Sequence, residues 1–107
     1  MNHLKEITSK LEQYGLDATL VTSAPGEFYA VGFHGEGLAV VSQRESRYFT
    51  DSRYIEAAQA QVTGAAITMT TRETGRKALL RRAVEELGVH RLGNEESYLT
   101  LEEYRSS

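Results

Sequence analysis

The chain has no cysteine, no tryptophan and a single proline in 107 residues. Without cysteine there is no disulfide framework, no thiolate nucleophile and no sulfur ligand for a metal. This absence fits a reducing compartment. No apolar run approaches the ~20 residues needed to span a bilayer. The first residues, MNHLKEITSK, are charged and amphipathic and lack a secretory apolar core. A cytoplasmic location with no membrane partner is therefore expected. A strong excess of one charge sign is also missing, with 12 Lys and Arg against 15 Asp and Glu. A net charge of −3 gives no reason to expect nucleic acid as a partner.

Aspartate is scarce too, with only Asp17 and Asp51. A two-metal hydrolase needs several carboxylates and a His converging on ions ~3.5–4 Å apart. His3, His34 and His90 are far apart in sequence, and none has a second His four residues on. Phosphate loops, nucleophile elbows and dinucleotide fingerprints are absent, since Gly35-Glu36-Gly37 has no further Gly in register. No catalytic residue and no metal site are expected within this chain.

What is present has the length of one domain. Leu4, Ile7, Leu11 and Tyr14 recur at helical spacing, with Asn2 as a candidate cap and Gly15 as a stop. Ala18 to Thr22 reads as a strand covered on both faces. Ser23-Ala24-Pro25-Gly26 reads as a loop, with the φ of Pro25 preset for the first turn of a short helix that carries Phe28 and Tyr29. Gly37 to Ser42 and Arg47 to Thr50 read as a hairpin joined by the polar link Gln43 to Ser46. Asp51 or Ser52 can cap a helix whose stripe is Tyr54, Ala57, Ala58 and Gln61 or Val62. Ala65 to Met69 is the next strand. A helix from about Thr74 follows, with Leu80, Val84 and Leu87 on one face and Gly88 as its stop. Arg91 to Gly93 is a last short strand. Helices alternating with short strands, one pair of which forms a hairpin, predict a three-layer α/β/α domain around a mixed sheet of about five strands.

Near the end, Thr100 and Glu103 form a capping box, with Leu99 and Tyr104 placed as a hydrophobic staple. Few residues follow, so the box announces a helix too short to stand alone. The expectation is a fragment of a longer chain; a locally packed terminal turn is the other reading.

Among polar residues, Arg72, Arg76, Lys77, Arg81 and Arg82 are the densest basic run. Arg81–Glu85 and Arg82–Glu86 at i, i+4 suit a solvated helix rather than a nucleic-acid face. His34 and Glu36 lie in a Gly-flanked loop beside aromatic residues. They can serve either as ordinary surface residues or as groups offered to a ligand held by another domain or subunit. Arg53 likewise either pairs locally with a carboxylate or presents an anion clamp.

The ordered segments Tyr14-Gly15-Leu16-Asp17-Ala18-Thr19-Leu20-Val21-Thr22, Tyr29-Ala30-Val31-Gly32-Phe33, Thr50-Asp51-Ser52-Arg53-Tyr54 with Ala57-Ala58, Gly88-Val89-His90-Arg91-Leu92-Gly93 and Leu99 to Tyr104 resemble the N-terminal domain of the creatinase, prolidase and aminopeptidase P metallopeptidases. The resemblance runs along nearly the whole chain. One departure is Asn94, where many relatives carry an aromatic residue.

That resemblance implies a ribonuclease H-like α/β fold and a non-catalytic role in a metal-dependent Xaa-Pro dipeptidase or aminopeptidase. It implies a missing C-terminal pita-bread domain that holds two divalent ions, manganese, cobalt or zinc. It further implies a homodimer, proline-containing peptides as the parent's substrate, and a substrate entrance shaped by Phe33, His34, Glu36 and Arg53, in the partner subunit where the loop crosses over. Two alternatives stand beside it: a free-standing peptide- or protein-binding module, and the N-terminal half of a creatinase-like amidinohydrolase.

Overall fold

A computed structural model describes residues 2–94 of the chain. The Thr100–Glu103 capping box, the Leu99–Tyr104 staple and the truncation argument built on them lie outside the described residues.

The elements are α1 (Leu4–Tyr14), β1 (Ala18–Val21), α2 (Ala24–Val31), β2 (Leu38–Ser42), β3 (Ser46–Thr50), α3 (Ile55–Gln61), β4 (Ala65–Met69), α4 (Arg76–Glu86) and β5 (Leu92–Asn94). They form one sheet in the order β4-β3-β2-β1-β5. β1 and β3 each run antiparallel to β2, whereas β5 and β4 pair parallel to β1 and β3. The sheet is mixed and five-stranded, as the hairpin between helix–strand units requires.

Alternation along the strands divides the core in two. Val21, Ala39, Val41 and Tyr48 face α1, α2 and α3, packing with Ile7, Leu11, Ala30 and Ala58. Ala18, Leu38, Val40 and Phe49 face α4 and meet Leu79, Ala83 and Leu87. The three layers follow directly from this division. Ile7 and Leu11 are fully buried; each such side chain contributes about 1.5–3 kcal/mol.

Several boundaries differ from the sequence reading. His3, not Asn2, occupies the N-cap position of α1 and makes no side-chain cap bond. Asn2 still meets the helix start, its Oδ1 accepting from the Leu4 N–H at 3.4 Å, while its amide nitrogen donates to the Thr63 carbonyl at 2.8 Å. The helix stop holds: Gly15 has φ +68°, in the left-handed region. Ser23 is not loop but the N-cap of α2, its hydroxyl accepting from Gly26 N–H at 3.0 Å; Ala24 to Gly26 are already helical, and Pro25 sits in the first turn as read. Neither Asp51 nor Ser52 caps α3. Asp51 accepts from Arg53 N–H in a turn, and the helix starts only at Ile55. On α4 the buried row is Leu79, Ala83 and Leu87; Leu80 and Val84 flank it half-buried. Two adjacent leucines leave the helix phase ambiguous, and the sheet selects Leu79. Glu86 pairs with Arg47 of β3, a contact between sequence-distant elements.

Among the described residues, no helix is long and apolar enough to cross a membrane.

Candidate functional site

Helix α2 ends at Gly32, whose φ of +69° turns the chain back across the sheet. The next residues, Phe33 to Gly37, form a loop between α2 and β2. This loop rests on a buried carboxylate. Glu27, only 3% exposed, projects from α2 beneath it. Its Oε2 accepts the Gly37 N–H at 2.7 Å and the Tyr48 hydroxyl, and both oxygens lie 3.3 Å from the Gly35 nitrogen. Thr50 Oγ1 donates to the Gly35 carbonyl at 2.7 Å, fixing the other side of that residue. Burial pushes the Tyr48 phenol up from its ordinary value, and the hydrogen bond to Glu27 adds to the shift.

Neither glycine can be replaced without displacement. A Cβ on Gly35 would lie 2.5 Å from the Phe33 ring and 2.6 Å from the Tyr48 hydroxyl. One on Gly37 would lie 2.5 Å from the Phe49 carbonyl oxygen. Between them Glu36 adopts φ +49°, the left-handed conformation that non-glycine residues rarely take.

The residues singled out from sequence separate into two groups. Phe33 is buried and packs edge-on against Tyr48 and Tyr54, so it supports the loop from below rather than lining its surface. His34, Glu36 and Arg53 are exposed. The His34 ring stacks on Phe28 at 4.4 Å between centroids. Glu36 Oε2 accepts the Tyr54 hydroxyl at 2.8 Å and lies 3.5 Å from Arg53 Nη2. The hydrogen bond to Glu36 is the first cause of a raised Tyr54 phenol. Arg53 grips Asp51 through Nε and Nη2 and lies over the Tyr54 ring, 5.1 Å from its centroid. That grip holds the Asp51 carboxyl below its ordinary value.

Sequence reasoning passed over two members of the site. Arg76, at the start of α4, donates to the Glu36 carbonyl and so ties the opposite helical layer to the loop. Glu27 is the other. Its signal was present, since it is the one carboxylate between Asp17 and Glu36, in an otherwise apolar helix. Together Thr22, Glu27, His34, Glu36, Tyr54 and Arg76 line an open cleft of about 430 Å³. The cleft offers both signs of charge, an imidazole and a phenol, which suits a ligand with polar ends.

Among the described residues, no three of His, Cys, Asp and Glu converge closely enough to hold a metal ion. The Glu36 carboxylate is already engaged by Tyr54 and Arg53. The two-metal centre that the resemblance implies for the parent does not fit this site.

A mixed five-stranded sheet between helical layers defines an α/β domain. The Creatinase/Prolidase N-terminal domain family matches residues 3–107, and the chain belongs to that family. It is 37% identical over 106 residues to the uncharacterized peptidase YqhT of Bacillus subtilis (strain 168), covering 96% of this chain and 29% of that protein. Among solved structures it is similar to the Xaa-Pro dipeptidase from Bacillus anthracis, with a TM-score of 0.77 and 28% identity over 96% of this chain and 29% of that one. It is also similar to the N-terminal domain of the cytoplasmic peptidase PepQ from Mycobacterium tuberculosis H37Rv, with a TM-score of 0.72 and 29% identity over 96% of this chain and 79% of that one. The chain thus spans 29% of the length of its curated relative.

Proposed function

We propose that this chain is the non-catalytic N-terminal domain of a metal-dependent Xaa-Pro dipeptidase or aminopeptidase, and that it shapes the entrance to the active site. In this reading residues 1–107 form the domain, and a separate C-terminal domain holds two divalent ions, manganese, cobalt or zinc. The assembly is a cytoplasmic homodimer acting on proline-containing peptides. Exposed His34, Glu36 and Arg53 meet the substrate at the mouth of the catalytic domain, their own or the partner subunit's, while Phe33 props the loop from inside.

The observation that carries the reading is the loop itself. An unregulated connection between α2 and β2 has no need of a buried carboxylate, two crowded glycines and a left-handed Glu36. Strain of this kind persists only where surrounding contacts over-determine it, and it clusters at ligand-contacting segments. Similarity to an Xaa-Pro dipeptidase supports proline-containing peptides as the substrate class.

The test is hydrolysis of Xaa-Pro dipeptides and tripeptides with Mn²⁺, Co²⁺ or Zn²⁺ added. The chain alone is expected to be inactive, and the longer protein carrying it active. Turnover by the chain alone contradicts the non-catalytic role. A reading frame that stops at Ser107 favours the free-standing binding module, and creatine hydrolysis by the longer protein favours the amidinohydrolase.

A further inference from the structure

We propose that Glu27 is a positioning residue that sets which peptide lengths the entrance admits, acting through the backbone of Gly35 and Gly37. The proposal rests on the entrance reading above and goes one layer beneath it.

A buried carboxylate is a costly way to fill a core position, and apolar side chains of similar volume commonly serve stability as well or better. Glu27 is nonetheless almost fully buried, and its hydrogen bonds run to the loop and to the tyrosine beneath it. Two of its donors, the Gly35 and Gly37 N–H groups, flank Glu36 on either side. The Gly37 bond is the shorter, at 2.7 Å, and the Gly35 N–H is shared between both oxygens at 3.3 Å. These bonds fix the His34–Gly35 and Glu36–Gly37 peptide planes, while Thr50 holds the plane between them through the Gly35 carbonyl, and so set where the Glu36 side chain and the neighbouring His34 ring stand.

The Tyr48 hydroxyl completes the device from below. It sits within 2.6 Å of where a Cβ on either glycine would lie, so carboxylate, phenol and loop form one packed unit. Above, Phe28 is the next residue of α2 and stacks on His34. One turn of α2 therefore holds the loop from both sides.

Replacing Glu27 by glutamine keeps the shape but turns one acceptor into a donor: with the remaining carbonyl toward Gly37 and Tyr48, the new amide N–H faces that of Gly35 and loosens the loop there. In Glu27→Gln the Gly35 and Gly37 amides are expected to exchange with deuterium at least ~10-fold faster than in the native chain. Tyr48→Phe keeps the carboxylate and should shift the same amides in the same direction by less. Leu79→Ala, on the opposite face of the sheet, is the stability control.

In the longer, metal-loaded protein, Glu27→Gln is expected to change the ratio of kcat/KM for an Xaa-Pro dipeptide over a tripeptide by several-fold. The change should fall in KM, with kcat and metal content kept. Leu79→Ala should lose stability without altering that ratio. A Glu27→Gln protein that matches Leu79→Ala in both readouts overturns the proposal, as does faster glycine exchange with an unchanged ratio. His34→Ala, measured in parallel, separates the two levels. A changed ratio in His34→Ala with none in Glu27→Gln removes Glu27 and leaves the entrance reading standing. No change in either removes both.

Discussion

Asp17 and Arg91 are joined in both directions. The Asp17 N–H donates to the Arg91 carbonyl at 2.9 Å, and Asp17 Oδ2 accepts the Arg91 N–H at 2.8 Å while also accepting that of His90. This one side chain clips the entry of β5 to the start of β1, where the two strands pair in parallel. It explains the aspartate in the Gly15-Leu16-Asp17-Ala18 segment as a structural rather than a chemical residue.

The clip has a pH signature. The two backbone N–H groups hold the Asp17 carboxyl below its ordinary value of 3.8. A carboxylate depressed on folding contributes stability that is fully present above its unfolded value and lost as pH falls through the folded one. Asp17→Asn should therefore lower the melting temperature at pH 7, and the gap to the native chain should close as the pH is taken below 3.8. Melting curves from pH 7 down to the acid limit check this. A gap that widens toward acid contradicts it.

The two crowded glycines should not respond equally to alanine. At Gly37 the added Cβ would meet the Phe49 backbone oxygen, which is fixed in β3. At Gly35 the nearest atoms belong to side chains. Gly37→Ala should cost about 2–3 kcal/mol and Gly35→Ala less, in the range of overpacking changes. Urea unfolding of the two variants tests the order.

Thr19 is fully buried in β1, and its hydroxyl has no hydrogen-bond partner among the described residues. Valine has the same branched shape without the unsatisfied group. Thr19→Val should leave stability unchanged or raise it by ~1 kcal/mol. A loss of that size by urea unfolding would mean that the hydroxyl is satisfied after all.

The elements most legible in sequence were those where pattern and punctuation agreed. α1 shows helical spacing closed by Gly15, β2 and β3 flank a polar link, and the stripe Tyr54, Ala57, Ala58 and Val62 packs as read. Failures arose where a local signal competed with tertiary structure. Asp51 has the chemistry of a helix cap, yet Arg53 captures it in a turn that delays α3. Arg82 stands four residues before Glu86, yet β3 supplies Arg47 to that glutamate. At the candidate site, His34 and Glu36 stand out in sequence as polar residues in a Gly-broken loop, and Arg53 as a cation two residues from Asp51. Glu27 and Arg76 do not, because the first depends on burial and the second on a helix folding over from the other layer. Neither relation has a fixed spacing to read.

The central claim is that the Phe33–Gly37 loop faces substrate although the chain does no chemistry. The most direct test is His34→Ala in the longer, metal-loaded protein, assayed with an Xaa-Pro dipeptide and a tripeptide. The account predicts a KM change that differs between the two peptides, with metal content intact and the melting temperature little moved, since His34 is exposed on a loop. Unchanged kinetics for both peptides would contradict it.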